Sequence, residues 1–251
     1  MMKELIALIF DVDGTLANTE RDGHRPAFNR AFKEKGLDWH WSVDFYGKLL
    51  TVSGGKERIR HYIEQYQPKD IPTKENLADF VSELHQLKNK YYQALLKEGA
   101  IPLRPGVKRI IAEAKSKGIR LAIATTSALP NAMALLENTL DPSWFEVIAA
   151  GDIVPQKKPA PDIYFYVLKQ MNLAAENCLV FEDSEHGLQA ATDAKIKTIV
   201  TVNNYTEKQD FNRAVLVVNH LGEPDDSLTV VKGNAVNENY LDLSIIEKLV
   251  I

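Results

Sequence analysis

The sequence has a single cysteine, Cys178, among its 251 residues, so no disulfide can form within the chain and stability must come from a buried core. It has no apolar run near the ~20 residues that a membrane-crossing helix needs. Strong charge of either sign is missing too, the net value being −4, and no basic tract marks a nucleic-acid partner. Internal repeats and low-complexity tracts are absent, which excludes solenoids and long disordered linkers. The first strand-like run begins so near Met1 that no leader is expected before it, and the protein is expected in the cytoplasm. Cys178 opens another strand-like run and reads as core rather than as a reactive thiol. A chain this long buries roughly 75% of its unfolded surface, enough for one large core with a smaller unit.

What is present begins with Leu5-Ile6-Ala7-Leu8-Ile9-Phe10-Asp11-Val12-Asp13-Gly14-Thr15. A short unbroken apolar run stopped by glycine reads as a strand buried on both faces. Active sites of α/β sheets lie just past the carboxyl ends of such strands. Side chains alternate along an extended backbone, so Asp11 and Asp13 share a face while Val12 points away. Two carboxylates so close raise each other's pKa unless a cation sits between them. The pair suits metal ligation, an acid/base couple, or a nucleophile with its acid. A plain Asp-Gly turn is the competing explanation.

Three further segments repeat this logic. Ile119 to Ala124 ends in Thr125-Thr126-Ser127 before a helical pattern, and hydroxyls with free amides at a helix start suit phosphate. Lys157-Lys158-Pro159-Ala160-Pro161-Asp162 places cations in a loop stiffened by two prolines. Cys178-Leu179-Val180-Phe181 ends in Glu182-Asp183-Ser184, again acids at a strand end.

These four pieces in this order resemble the haloacid dehalogenase superfamily, whose phosphatases carry DxDGT, a Ser or Thr after the second strand, a Lys, and paired acids. LLTVSGGKERI at 49–59, LRPGV at 103–107, IATTSALPN at 123–131 and VIAAGDIVPQKKPAPDIY at 147–164 sharpen the likeness toward the CbbY-type sugar-phosphate phosphatases. That resemblance implies hydrolysis of xylulose-1,5-bisphosphate, an inhibitor of Rubisco, to xylulose 5-phosphate. It implies Asp11 as nucleophile and Asp13 as the acid that protonates the leaving oxygen and then activates water. Magnesium is the implied cofactor, held by Asp11, the backbone carbonyl of Asp13, and Asp183, with Glu182 behind them through water. Thr125 with the amide of Thr126, Ser127 and Lys158 would hold the transferring oxygens. Lys157 reads as a surface residue, because the motif's lysine directly precedes proline.

The expected architecture is α/β: a Rossmann-like parallel sheet core, residues 1–17 and 101–251, with an inserted helical cap domain at 18–100. Helical periodicity runs over Arg25 to Lys35, Gly54 to Tyr66 and Thr73 to Lys97, with breaks at Pro68 and Pro72. The core resumes with helix 106–117, strand 119–125, helix 129–138, strand 146–150, helix 161–172, strand 177–182, helix 187–194 and strand 196–201. After Val215 to Val218, the stretch 221–240 reads as polar and irregular, and 241–251 as a short helix. A packing role is the default expectation for this tail.

Specificity is expected from the cap. Ser53-Gly54-Gly55-Lys56-Glu57-Arg58 opens a helix with free amides and cations, a second anion site in which Lys56, then Arg58, would hold the distal phosphate. An ordinary capped helix with solvated cations is the competing reading. Glu20, His24 and Arg25 resemble group positions that contact substrate, although this chain carries one additional residue between Glu20 and His24. Trp39, Trp41 and Tyr46 read as cap core, with Tyr46 able to reach the site mouth. Asp13 and Asp183 argue against a dehalogenase. A β-phosphoglucomutase-like transferase and a silent phosphate-binding protein are the alternatives. The expected partner is a small phosphorylated sugar, acted on by a monomer.

Overall fold

The chain divides into two compact units, residues up to Asn18 with those from Pro102 onward, and Thr19–Ile101. The boundaries expected from sequence lie one residue earlier at each junction. The computed structural model describes residues 4–52, 54–69, 71, 73–233 and 239–250. Ser53, Pro72, 234–238 and Ile251, each included in an expectation above, lie outside them.

The first strand, β1 (Ala7–Phe10), is buried at every position, as its unbroken apolar run requires. The helical unit follows. Thr19–His24 winds as a π-helical turn and continues into α1 (Arg25–Glu34), whose buried Ala27, Phe28, Ala31 and Phe32 form one stripe. A helix that sequence periodicity did not reveal, α2 (Val43–Leu49), starts at Ser42, whose side chain accepts from the Phe45 amide at 3.2 Å. It is only seven residues long, too short for its periodicity to stand out. Then come α3 (Gly55–Tyr66) and α4 (Leu77–Lys97), with α1 packed along α4. Trp41 is fully buried, its ring centroid 4.7 Å from Phe28 and 4.8 Å from Phe32. Trp39 and Trp41 therefore build the core of this unit.

The other unit alternates α5 (Val107–Ser116), β2 (Arg120–Thr125), α6 (Leu129–Thr139), β3 (Val147–Ala150), α7 (Asp162–Met171), β4 (Cys178–Glu182), α8 (Glu185–Asp193), β5 (Lys197–Thr201) and β6 (Leu216–Val218). These strands form one sheet in the order β3-β2-β1-β4-β5-β6, all parallel. The order reverses at β1, the switch point where α/β sheets bind ligands. Phe10 and Phe181 are register partners on β1 and β4, and their rings stack 4.7 Å apart. Cys178 lies in the core, and burial pushes its thiol up to about 12.

Among its described residues, the stretch read as irregular holds one strand, β7 (Val230–Lys232), antiparallel to β6 at the sheet edge. Three residues, two of them largely exposed, leave too little hydrophobic patterning to read in advance. Leu243–Val250 forms α9. The guanidinium of Arg109 bonds the Leu241 carbonyl at 2.7 Å and the Gly222 carbonyl at 2.6 Å, tying the tail to α5.

Candidate active site

Asp11 follows β1 directly, and its amide bonds the Phe181 carbonyl of β4 at 3.0 Å. That bond carries the sheet pairing one residue past the strand and fixes the Asp11 backbone beside Glu182 and Asp183. Asp11, Glu182 and Asp183 are all buried, and one carboxylate oxygen from each lies within 4.8 Å of the other two. Among the described residues this is the group of acids spaced to hold a metal ion.

Lys158 reaches this cluster from the loop before α7. Its ammonium donates to Asp11 Oδ1 at 2.7 Å, Glu182 Oε1 at 2.6 Å and the Ala124 carbonyl at 2.8 Å. An ammonium has three protons, so these acceptors use all of them and the cation has one orientation. Lys157 pairs instead with exposed Asp152 at the surface.

The electrostatics are those of crowded acids. Burial pushes the Asp11 carboxyl well above the usual carboxylate range; Lys158 opposes this, and Glu182, Asp183 and Asp13 add to it. Burial and Glu182 push Asp183 up to about 7, against Asn203, Arg104 and Lys158. Burial works against the charge on Lys158, yet Asp11 and Glu182 hold its pKa above the ordinary lysine value.

Two glycines make this crowding possible. A Cβ on Gly14, where φ is +89°, would stand 2.1 Å from Asp183 Oδ2. One on Gly187 would stand 1.9 Å from Glu182 Oε2. Neither approach tolerates a side chain.

Asp13 is half-buried and accepts from the Ser127 hydroxyl. Thr125 ends β2, buried, and its Oγ1 accepts from the Ser127 amide at 3.1 Å. Thr126 is exposed. Asp11, Asp13, Ser127, Lys158, Glu182 and Asp183 are thus linked by hydrogen bonds or close approach, and Thr125 joins them through Ser127.

Three residues here escaped the sequence reading. Tyr164 donates to Glu182 Oε1 at 2.5 Å; it stands inside the KKPAPDIY motif, where its proximity to Lys158 was the available signal. Asn203 donates to Asp183 Oδ2 at 2.7 Å and lies two residues past β5, at the carboxyl end of the strands where ligands bind. Arg104 donates to the carbonyls of Gly14, Thr201, Val202 and Asn219, tying the loop after Asp13 to the ends of β5 and β6. Its long-range partners left no sequence signal.

In the helical unit, Tyr46 is buried and donates to Glu20 Oε2 at 2.5 Å while accepting from Arg58 Nη1 at 2.6 Å. Arg58 is buried as well and also donates to the Val52 carbonyl. Burial raises the Glu20 carboxyl, but Arg58, His24 and the Tyr46 bond outweigh it and leave its pKa lowered. His24 lies against Tyr92 in a tilted arrangement with centroids 4.2 Å apart, and burial and Lys88 bring its pKa down to about 3.

The segment from Glu20 to His24, where the resemblance implied one additional residue, lies in the π-helical turn, a turn with room for one more residue than an α turn, and the two side chains are in electrostatic contact. Arg25 donates to the Arg21 and Trp41 carbonyls at 3.3 Å each, which holds it within the unit's own backbone. Gly55 and Lys56 open α3 after Gly54, with the Glu57 carboxylate against Gly54. Lys88, missed in the sequence, is buried in the α4 stripe of Val81, Leu84, Tyr92 and Leu95. A lysine in register with an apolar stripe was the signal.

The haloacid dehalogenase-like hydrolase family matches over residues 8–201. Protein CbbY from a plasmid of Cupriavidus necator is 44% identical over 225 residues, covering 88% of each chain. A crystal structure of a CbbY variant from Rhodobacter sphaeroides in complex with xylulose-1,5-bisphosphate superposes with a TM-score of 0.74 at 42% identity, covering 86% of this chain and 94% of that one. A phosphorylated carbohydrates phosphatase from Thermotoga maritima is 31% identical over 90% of this chain and 98% of its own. By its sheet, its acids and these relatives, this chain belongs to the haloacid dehalogenase-like hydrolase family.

Proposed function

We propose that this protein is a magnesium-dependent phosphatase that hydrolyses xylulose-1,5-bisphosphate to xylulose 5-phosphate. The observation that carries the reading is the buried set Asp11, Lys158, Glu182 and Asp183 at the carboxyl ends of β1 and β4. The substrate is taken from the likeness to CbbY, whose complex with that bisphosphate is cited above.

The acid cluster fits a divalent cation. Its donors are carboxylate oxygens, which suit magnesium, and burial with mutual repulsion has raised Asp11 and Asp183. Asp11 and Asp183 would hold the ion with the Asp13 carbonyl, and Glu182 would stand behind them. When bound it neutralises charge between carboxylate and phosphate.

The chain's own residues then divide the work. An Asp11 carboxylate oxygen attacks phosphorus as the bond from phosphorus to the sugar oxygen breaks, and Asp13 gives its proton to that oxygen. Asp13, now a carboxylate, takes a proton from water, whose oxygen attacks phosphorus and frees Asp11 and inorganic phosphate. The Ser127 hydroxyl orients Asp13 for both transfers. Lys158, fixed by its three acceptors, balances negative charge on the transferring oxygens beside Thr125 and the Thr126 amide.

The helical unit supplies recognition. Glu20, His24 and Tyr46 would bind sugar hydroxyls and phosphate oxygens, while Gly54, Gly55, Lys56 and Arg58 would bind the phosphate that is not transferred. A free cysteine kept in the core is consistent with a reducing compartment such as the cytoplasm.

The test is turnover of xylulose-1,5-bisphosphate against ribulose-1,5-bisphosphate, phosphoglycolate and glucose 1-phosphate, with magnesium and with chelator. Release of one phosphate from the xylulose ester in preference to the others is expected. Preference for another ester would replace the substrate, and full activity in chelator would remove the metal.

A further inference from the structure

Glu182 Oε1 is shared. It accepts from Lys158 at 2.6 Å and from the phenol of Tyr164 at 2.5 Å. Tyr164 is fully buried on the first turns of α7, and its ring centroid lies 5.3 Å from the Lys158 ammonium. The other Glu182 oxygen takes the Asp183 amide at 3.2 Å and abuts Gly187. Glu182 is thus confined by a phenol, an ammonium, an amide and a glycine backbone.

The consequence concerns Lys158, whose protons are divided between Asp11, Glu182 and the Ala124 carbonyl. Two carboxylates compete for one cation, and the balance depends on how much negative charge each oxygen keeps. A phenol donating to Oε1 disperses charge on Glu182 and weakens its pull. Without the phenol, Oε1 draws the ammonium toward itself and away from Asp11, where the transferring phosphoryl group is received.

We propose that Tyr164 is a positioning residue for phosphoryl transfer, acting through Glu182 to keep Lys158 beside Asp11. The proposal rests on the phosphatase reading above and extends it to a residue that touches neither substrate nor metal in that scheme. Because Tyr164 acts at the transferred phosphoryl group, its effect must be indifferent to the rest of the substrate. It must also vanish when Glu182 no longer carries a charge to disperse.

The experiment is Tyr164→Phe, which removes one oxygen and keeps the ring, assayed beside wild type on the bisphosphate and on p-nitrophenyl phosphate. The expected result is a kcat lower by about five- to tenfold on both, less than the roughly ten- to hundredfold of a directly lost charged hydrogen bond because Tyr164 acts through Glu182, with KM within about twofold and the melting temperature lower by no more than a few degrees. In a Glu182→Gln background the same substitution should cost less than about twofold. An unchanged kcat, a loss confined to one substrate, or full additivity with Glu182→Gln overturns the proposal. Should Tyr164→Phe fail to fold, 3-fluorotyrosine at position 164 keeps the shape and strengthens the donor; kcat must then move while KM does not, and an unmoved kcat overturns the proposal. Wild type without phosphatase turnover would overturn this inference together with its parent reading. Turnover in wild type with an unaffected Tyr164→Phe overturns this inference alone.

Discussion

At the scale of single residues, the proposed scheme gives each side chain around Asp11 a separate task, and each can be removed singly. Asp11→Asn removes the proposed nucleophile and keeps its volume, so turnover should fall by at least about a thousandfold with little change in melting temperature; near-normal activity would exclude a covalent route. Asp13→Asn should permit attack but slow both proton transfers, most severely for poor leaving groups. Lys56→Ala should lower kcat/KM on the bisphosphate by about ten- to hundredfold, the cost of one charged hydrogen bond. On p-nitrophenyl phosphate, which has no second phosphate, it should change little. An equal loss on both substrates would reduce Lys56 to a structural role. Arg58 is a poorer probe, because it is already bonded to Tyr46, Glu20 and Val52, so removing it also leaves those partners unsatisfied.

At the scale of elements, the informative pieces are those that break regularity. Thr19–His24 is π-helical, and a π turn amounts to an α turn with one residue inserted. Residues four apart in a π turn and three apart in an α turn both fall on one face. Deleting Arg21 should therefore relax the turn to α geometry with Glu20 still facing the histidine. The melting temperature should shift by no more than a few degrees, corresponding to about 1 kcal/mol; unfolding of the helical unit would refute this account. Gly14 belongs to the same scale, since the loop after β1 turns at φ +89° with Asp183 against it. Gly14→Ala should cost more than about 2 kcal/mol and displace Asp183, read as a raised magnesium requirement.

For the whole molecule, charge couples stability to solution conditions. Magnesium should raise the melting temperature, by an amount equivalent to roughly 2.7 kcal/mol at a hundredfold excess over Kd, and Asp183→Ala should abolish the shift. Acid should act on the helical unit through His24 and His85. Burial and Lys88 bring their pKa values down to about 3 and about 4, below the ordinary 6.5. In that window the unfolded chain binds more protons than the folded one, so stability is complete above about pH 6.5 and declines as pH falls. His24 alone should cost on the order of 2 kcal/mol by pH 5. Thermal melts from pH 7 to 4.5 should show the decline, and His24→Gln should flatten it; a profile identical to wild type would place the acid sensitivity elsewhere.

The sequence by itself determined the sheet and the acids at its strand ends. Ala7–Phe10, Arg120–Thr125 and Cys178–Glu182 are apolar runs long enough to be read locally, and a strand's end dictates where the next side chains emerge. Asp11, Thr125, Glu182 and Asp183 were legible for that reason, and Lys158 from the proline-stiffened loop and the motif in which a lysine precedes proline. Local pattern could not reveal pairings made over long separations. The phenol of Tyr164 on Glu182, Asn203 on Asp183, Arg104 on the Gly14 carbonyl and Tyr46 between Glu20 and Arg58 join residues from 12 to 90 positions apart. Their donors and acceptors are ordinary polar groups with no periodicity of their own. Only the packing of the fold decided which of them became buried, and burial is what turned a hydrogen bond at the surface into a constraint on the site.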